Sequence, residues 1–196
     1  MSGGSIGFRE AMSQYPTGVA VVAMADPAGV RAMTVGSLAS VSLEPALVLF
    51  CVGRVARMAS LFRVGGLMSV NVLRADQQAL STYFAGGWKE KVAPPHRFVP
   101  WALGARLEGS ALSLAAVVVQ VVEAGDHVVV VAEVGAIHRG LGPIEPLVFF
   151  DRQYHRVGGV GETAPELDAG DSSARLFHEP WSGLVGAVGD LGWRSG

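Results

Sequence analysis

The sequence predicts a mainly β protein, a small antiparallel barrel with short peripheral helices. Three observations point there. Val is the commonest residue, with 29 copies in 196, and it gathers in short runs of strand length. Turn sequences separate most neighbouring runs, so hairpins are the natural connections. The regular strand–helix–strand alternation of a doubly wound parallel sheet is missing. About seven strands and three short helices account for the chain, and such a set closes well as a barrel.

The elements follow in order. Phe8, Met12 and Tyr15 recur at helical spacing and predict a helix that Pro16 ends. Residues 19–25 form an apolar strand, and Asp26-Pro27-Ala28-Gly29 is a turn leading to the returning strand 30–35. The next segment, 36–42, is small and hydroxyl-rich, with Ser37, Ser40 and Ser42 following Thr34. Residues 47–52 are a buried-type strand. Met58, Leu61 and Phe62 make a helical face that stops at Gly65-Gly66.

Strand 68–73 comes next. Asp76 is placed to cap a helix carrying Leu80, Tyr83 and Phe84, which ends near Gly86. Residues 85–105, with Pro94, Pro95 and Pro100, read as a long loop. Two Val-rich strands, 112–122 and 128–137, are joined by the tight turn Glu123-Ala124-Gly125-Asp126. Strands 147–150 and 154–157 close the body.

Charge and glycine divide the chain at the same point. Residues 1–157 hold 13 basic and 11 acidic side chains, giving +2; residues 158–196 hold 2 and 6, giving −4. Nine of the 26 glycines fall in that short second part. We therefore expect a globular domain at 1–157 and an acidic, Gly-rich extension at 158–196. The extension is either disordered or docked through Phe177 and Trp181.

Several functions are excluded by composition. One cysteine, Cys51, forms no internal disulfide, and one thiolate builds no multi-thiolate zinc site. Arg9 and Glu10 stand where a secretory signal would need an apolar stretch, and no run is long enough to span a membrane. A cytoplasmic location is the expectation. The near-neutral body lacks the Lys and Arg clusters of a nucleic-acid binder. Gly159-Val160-Gly161 resembles a dinucleotide-binding glycine pattern, but Pro165 follows and no β-α-β unit fits in the remaining chain. Gly170-Asp171-Ser172-Ser173-Ala174 has no strand before it to make a nucleophile elbow.

Three features remain as candidate sites. Small side chains over 34–42 let a planar ligand approach the backbone, whose amides and hydroxyls bond polar ring edges. The same composition also fits a polar strand with a bulge. Arg54 and Arg57 follow the 47–52 strand and make an anion site or solvated surface. His127 begins a strand directly after a Gly-Asp turn, facing a cleft or capping the hairpin.

Taken in order, these segments resemble the short-chain flavin reductase family, the reductase components of two-component flavin monooxygenases. The resemblance covers the body from about Phe8 to Val157. It is carried by Phe8-Arg9-Glu10-Ala11-Met12, Pro16-Thr17-Gly18-Val19, and the run from Met33-Thr34-Val35-Gly36-Ser37 through Leu43-Glu44-Pro45. Further along come Val70-Asn71-Val72-Leu73, Arg97-Phe98 and Gly125-Asp126-His127.

The resemblance implies an FMN-binding split β-barrel that acts as a homodimer and reduces FMN or FAD with NADH or NADPH. Reduced flavin would pass to a partner flavin-dependent monooxygenase. It implies that Thr34, Val35, Gly36, Ser37, Leu38, Ser40, Val41 and Ser42 line the flavin ring and ribityl chain. Cys51, Arg54 and Arg57 would lie at the phosphate end, Phe98 near the flavin, and His127 near the nicotinamide as the catalytic-site residue. The chain departs from the family pattern at Val55, Ala56 and Met58, where the phosphate usually meets Ser and Thr hydroxyls, and at His96, where an Asp usually precedes the Arg-Phe pair. A flavin- or ligand-binding barrel without reductase activity is the alternative these departures leave open.

Overall fold

The computed structural model describes residues 4–26, 29–102, 104–142 and 145–157, with side chains from Gly7 onward. The expected extension at 158–196, with its Gly159-Val160-Gly161 turn, Phe177 and Trp181, lies outside the described residues.

Twelve strands and two α-helices appear among the described residues. The helices are α1 (Gly4–Ser13) and α2 (Gln78–Phe84). The central strands are β2 (Ala20–Asp26), β3 (Gly29–Val35), β4 (Ala39–Leu43), β5 (Ala46–Gly53), β6 (Leu67–Val72), β9 (Leu112–Ala124) and β10 (His127–Arg139). They form one antiparallel sheet in the order β3-β2-β6-β9-β10-β5-β4. Two small sheets flank it. One joins β1 (Thr17–Gly18), β11 (Leu147–Phe150) and β12 (Gln153–Arg156); the other is the hairpin β7 (Phe98–Trp101) and β8 (Gly104–Leu107).

The large sheet curls until its two ends approach, and residues 36–38 carry the chain between them. There the Cys51 backbone N–H donates to Ser37 Oγ at 2.8 Å. β-bulges in the β9–β10 and β4–β5 ladders add the local bend that such curling needs. This is the split barrel that the sequence predicts.

Period-two alternation sorts the strand residues between two cores. Val22, Val48, Phe50, Val52, Val70, Val118, Val130 and Ala132 point into the barrel. Val19, Val21, Leu73, Leu80, Leu107 and Leu147 form a second cluster outside the sheet. Strand β2 serves both, which explains why it reads as an unbroken apolar run. Its first five residues are all buried, because β3 and β6 cover its edges while the two clusters cover its faces.

Asn71 ties the layers together. Its Nδ2 donates to Val21 O and Ser69 Oγ, both at 3.0 Å, and its Oδ1 accepts from Leu107 N–H at 2.9 Å. The fully buried amide thus fixes the β7–β8 hairpin onto the sheet with every bond inside the protein.

Four local expectations need correction. The helix expected to run to Pro16 ends at Ser13, so Tyr15 lies beyond α1, and Phe8, Met12 and Tyr15 are all exposed (70%, 49% and 64%). The Met58–Phe62 segment is not an α-helix. Successive i→i+3 bonds tighten it into turns and one 3₁₀ turn, Ala59–Leu61, yet Met58 and Phe62 still fill the barrel core. Asp76 does not cap α2. The helix opens through a 3₁₀ turn in which the Arg74 N–H donates to Gln77 Oε1 at 3.0 Å, while Asp76 lies 3.7 Å from the Arg74 guanidinium. Finally, the long loop at 85–105 contains the β7 strand and the start of β8, whose edges Asn71 and Ser69 hold down.

Candidate functional site

The β10–β5 register sets His127 opposite Gly53, Val129 opposite Cys51 and Val131 opposite Leu49. Opposed residues share a face, so all six lie on the outer surface of the barrel. Ser37 reaches the same place, since its hydroxyl bonds the Cys51 backbone. Ser37, Cys51 and His127 are therefore brought together, although 14 residues separate the first two and a whole barrel wall of sequence separates the third.

Strand β4 borders this surface as the last strand of the sheet, so one of its edges has no neighbouring strand among the described residues. Ser40 and Ser42 lie on it, with a bulge at Val41, which is 44% exposed. An open strand edge offers backbone N–H and C=O groups to a ligand. Leu38 packs beneath against the barrel core. Gly36 has no room for a larger side chain without a shift, since a Cβ there would lie 3.1 Å from Thr17 Oγ1.

Other expected site residues lie on other elements, β3 and β7. Thr34 Oγ1 donates to the Ser81 carbonyl of α2 at 2.8 Å, so its hydroxyl braces the helix. Val35 is buried in the barrel core, so its side chain does not line an open surface. Phe98, on β7, joins a ring cluster with Phe84 (6.0 Å) and His96 (6.1 Å), and Tyr83 lies 5.4 Å from His96. Its neighbour Arg97 makes a two-pronged ion pair with Glu108, at 2.8 and 2.5 Å. That hydrogen bond raises the Arg97 guanidinium and lowers the Glu108 carboxyl from their ordinary values.

Charge gathers at the mouth of the β9–β10 hairpin. The Arg54 N–H donates to Asp126 O at 3.0 Å, which anchors the loop after β5 to the turn. The Arg54 guanidinium lies 3.7 Å from Glu123, an exposed pair. Arg57 is exposed and makes no ion pair among the described residues.

His127 Nδ1 lies 2.7 Å from Asp126 Oδ1. The hydrogen bond from His127 holds the Asp126 carboxyl below the usual carboxylate range, and the positive charge of Arg9 on α1 adds to it. Asp126 and Gly53 are the residues that sequence reasoning missed. The Gly125-Asp126-His127 run held a signal for the first. Nothing local connects Gly53 to a histidine 74 positions away. No group of metal-ligating side chains occurs among the described residues.

The surface can hold a flat, polar-edged ligand against small side chains, with cations beside it and an imidazole on one flank. The comparisons agree with that chemistry. The model of the flavin reductase like domain matches residues 12–158. The chain is 36% identical over 156 residues to FMN reductase (NADH) RutF of Variovorax paradoxus strain S110, covering 76% of this chain and 84% of that protein. It is 36% identical over 162 residues to the actinorhodin polyketide dimerase of Streptomyces coelicolor, covering 80% and 89%. Among solved structures it resembles the flavin reductase of the styrene monooxygenase from Pseudomonas putida S12. There the TM-score is 0.70 at 31% identity, over 78% of this chain and 99% of that one.

Proposed function

The chain belongs to the flavin reductase-like family, and from that premise we propose how its residues perform the reaction. The enzyme is a flavin reductase that uses NADH to reduce flavin and serves a monooxygenase partner. When bound, the nicotinamide supplies a hydride and the flavin ring accepts it, so the cofactors carry the chemistry. The protein's part is to hold two rings face to face and to keep the flavin exchangeable.

The observation that carries this reading is the meeting of Ser37, Cys51, Gly53 and His127 on one outer surface, bordered by the open edge of β4. Those residues fit a flavin. Gly36 and Gly53 leave the surface flat, and the β4 backbone with Ser42, opposite Leu47 on the outer face, can bond the ring edge and ribityl hydroxyls; Ser40 stands opposite Val48, on the barrel side. Arg54 and Arg57 lie on the side where a phosphate would sit. His127 flanks the face that a nicotinamide would take. Hydride transfer requires no strong general base. FMN is the flavin named for the reductase relative, and FAD is the alternative because only the two arginines, without hydroxyls at 55, 56 and 58, greet the phosphate.

A homodimer is part of the proposal. Leu49, Cys51, Val129, Val131 and Val122 share the outer sheet face, with Val41 exposed at the bulge of β4. Such a patch on one antiparallel face marks a protein interface. The location proposed is cytoplasmic, where nicotinamide cofactors are at hand. No described helix is long and apolar enough to cross a membrane.

The test is a steady-state matrix of FMN and FAD against NADH and NADPH. Flavin-dependent NADH oxidation is expected, and no turnover with any pair would overturn the reading. A second reading, a ligand-binding barrel without reductase activity, rests on the missing hydroxyls at Val55, Ala56 and Met58. Stoichiometric flavin binding without nicotinamide consumption would favour it.

A further inference from the structure

Helix α2 touches both stretches of chain on which the expected flavin contacts fall. Thr34 Oγ1 donates to the Ser81 carbonyl at 2.8 Å, a bond from β3 to α2 across 47 residues of sequence. The same carbonyl accepts from Ala85 N–H at 3.0 Å, so both of its lone pairs are used. Ser81 is fully buried, and its hydroxyl lies 2.9 Å from the Tyr154 hydroxyl on β12. Two part-buried hydrogen bonds therefore tie β3, α2 and β12 together. The last residues of the same helix meet the chain around β7. Phe84 lies edge-on to His96 at 5.2 Å and to Phe98 at 6.0 Å, and Tyr83 lies 5.4 Å from His96. His96 is itself held, with Nδ1 2.8 Å from the Pro94 carbonyl.

The end of β3 is fixed on both faces. The Thr34 hydroxyl goes outward to α2, while the next side chain, Val35, is buried in the barrel core. Three residues on, Ser37 Oγ accepts from the Cys51 N–H at 2.8 Å. The path into the 36–42 segment is thus pinned at each end, and its outer pin is α2. We propose that α2 is a brace between the two halves of the flavin site, with Thr34 and Ser81 as positioning residues. The Thr34–Ser81 bond and the Phe84–Phe98 ring contact together set the separation of the 36–42 segment from Phe98. The inference rests on the reading that those two stretches hold flavin. In it the Thr34 hydroxyl serves the helix and does not bond the ligand.

The test is a double-mutant cycle read as FMN and FAD Kd by flavin fluorescence, with a thermal melt of each protein. Thr34→Val keeps the side-chain shape and removes the hydroxyl. It should weaken flavin binding about fivefold, the size expected for one neutral hydrogen bond. Thr34→Ser keeps the hydroxyl and should return the Kd to the parent value. In a Phe98→Ala background Thr34→Val should change the Kd by less than about twofold, because contacts that act as one unit are not additive. Tyr154→Phe removes one oxygen at the far end of the chain of bonds and gives a second arm. It should weaken binding about twofold, and that effect too should vanish beside Phe98→Ala.

An unchanged Kd in both Thr34→Val and Tyr154→Phe, beside a weakened one in Phe98→Ala, would overturn the brace and leave the flavin site standing. Equal fold-losses with and without Phe98 would overturn it as well, since Thr34 would then act on flavin independently of α2. A Thr34→Ser protein as weak as Thr34→Val would assign the effect to the methyl group and not to the bond. An unchanged Kd in Phe98→Ala would instead overturn the placing of flavin beside β7, on which the inference rests.

Discussion

His127 stands directly across the β10–β5 ladder from Gly53, and a Cβ on Gly53 would lie 3.8 Å from its Nε2. That spacing is ordinary contact for one methyl group. A branched side chain would fill the space that the ring and its ligand share. Gly53→Ala should therefore keep most activity. Gly53→Val should lower kcat/KM for NADH by about tenfold, a loss of the size expected when a positioned group is displaced. Steady-state kinetics on both variants checks this, with a thermal melt showing that the strand still forms.

Asn71 makes three buried hydrogen bonds, two of them to main-chain groups of β2 and β8. Asn71→Ala strands Leu107 N–H and Val21 O without their side-chain partner and leaves a small void. The expected cost is about 3 kcal/mol. Urea denaturation should show a lower midpoint, and near-ultraviolet circular dichroism should report the loosened Trp101 hairpin.

His138 supplies a pH signature of stability. Burial, with the nearby Arg106 charge adding to it, pushes its imidazole below the ordinary value of 6.5. The native state thus favours the neutral ring, and the unfolded chain binds a proton first. The stabilisation is whole above about pH 6.5 and is lost as pH falls through the lower native value. His138→Gln should flatten that acid limb. Melting temperatures from pH 8 to pH 5 for the two proteins give the comparison.

Val131 lies at the middle of the apolar outer patch, between Leu49 and Gln120. A carboxylate there would be buried, unpaired, at the proposed subunit contact. Val131→Asp should convert a dimer into a monomer in sedimentation velocity while the fold survives. A parent protein already monomeric at micromolar concentration would remove the dimer from the proposal.

Much of the fold was legible because strand burial writes itself into alternation. The six longest strand runs and the Gly-Asp turn were readable to within a few residues. Packing that depends on distant chain was not. Phe8, Met12 and Tyr15 recur at helical spacing, yet spacing alone does not say that α1 ends at Ser13 or that the three side chains are exposed. Phe62 is buried as expected, but the i→i+3 turns that bury it leave no periodic trace. The β7–β8 hairpin is short and Pro-containing, and its hold comes from Asn71 and Ser69, each 36 residues before its partner. In the candidate site, the Thr34–Ser42 run and His127 were visible by composition and motif. The meeting of Gly53 with His127 was invisible, because register across a ladder is set by the whole hairpin and not by either residue.

Strand β2 has one further consequence. Its two edges are paired and its two faces belong to different clusters, so it is the shared wall of the barrel interior and the outer helix-capped layer. Neither compartment can melt without exposing the other's lining. The domain is thereby bound into one cooperative unit, and its unfolding is a single event whichever side gives way first.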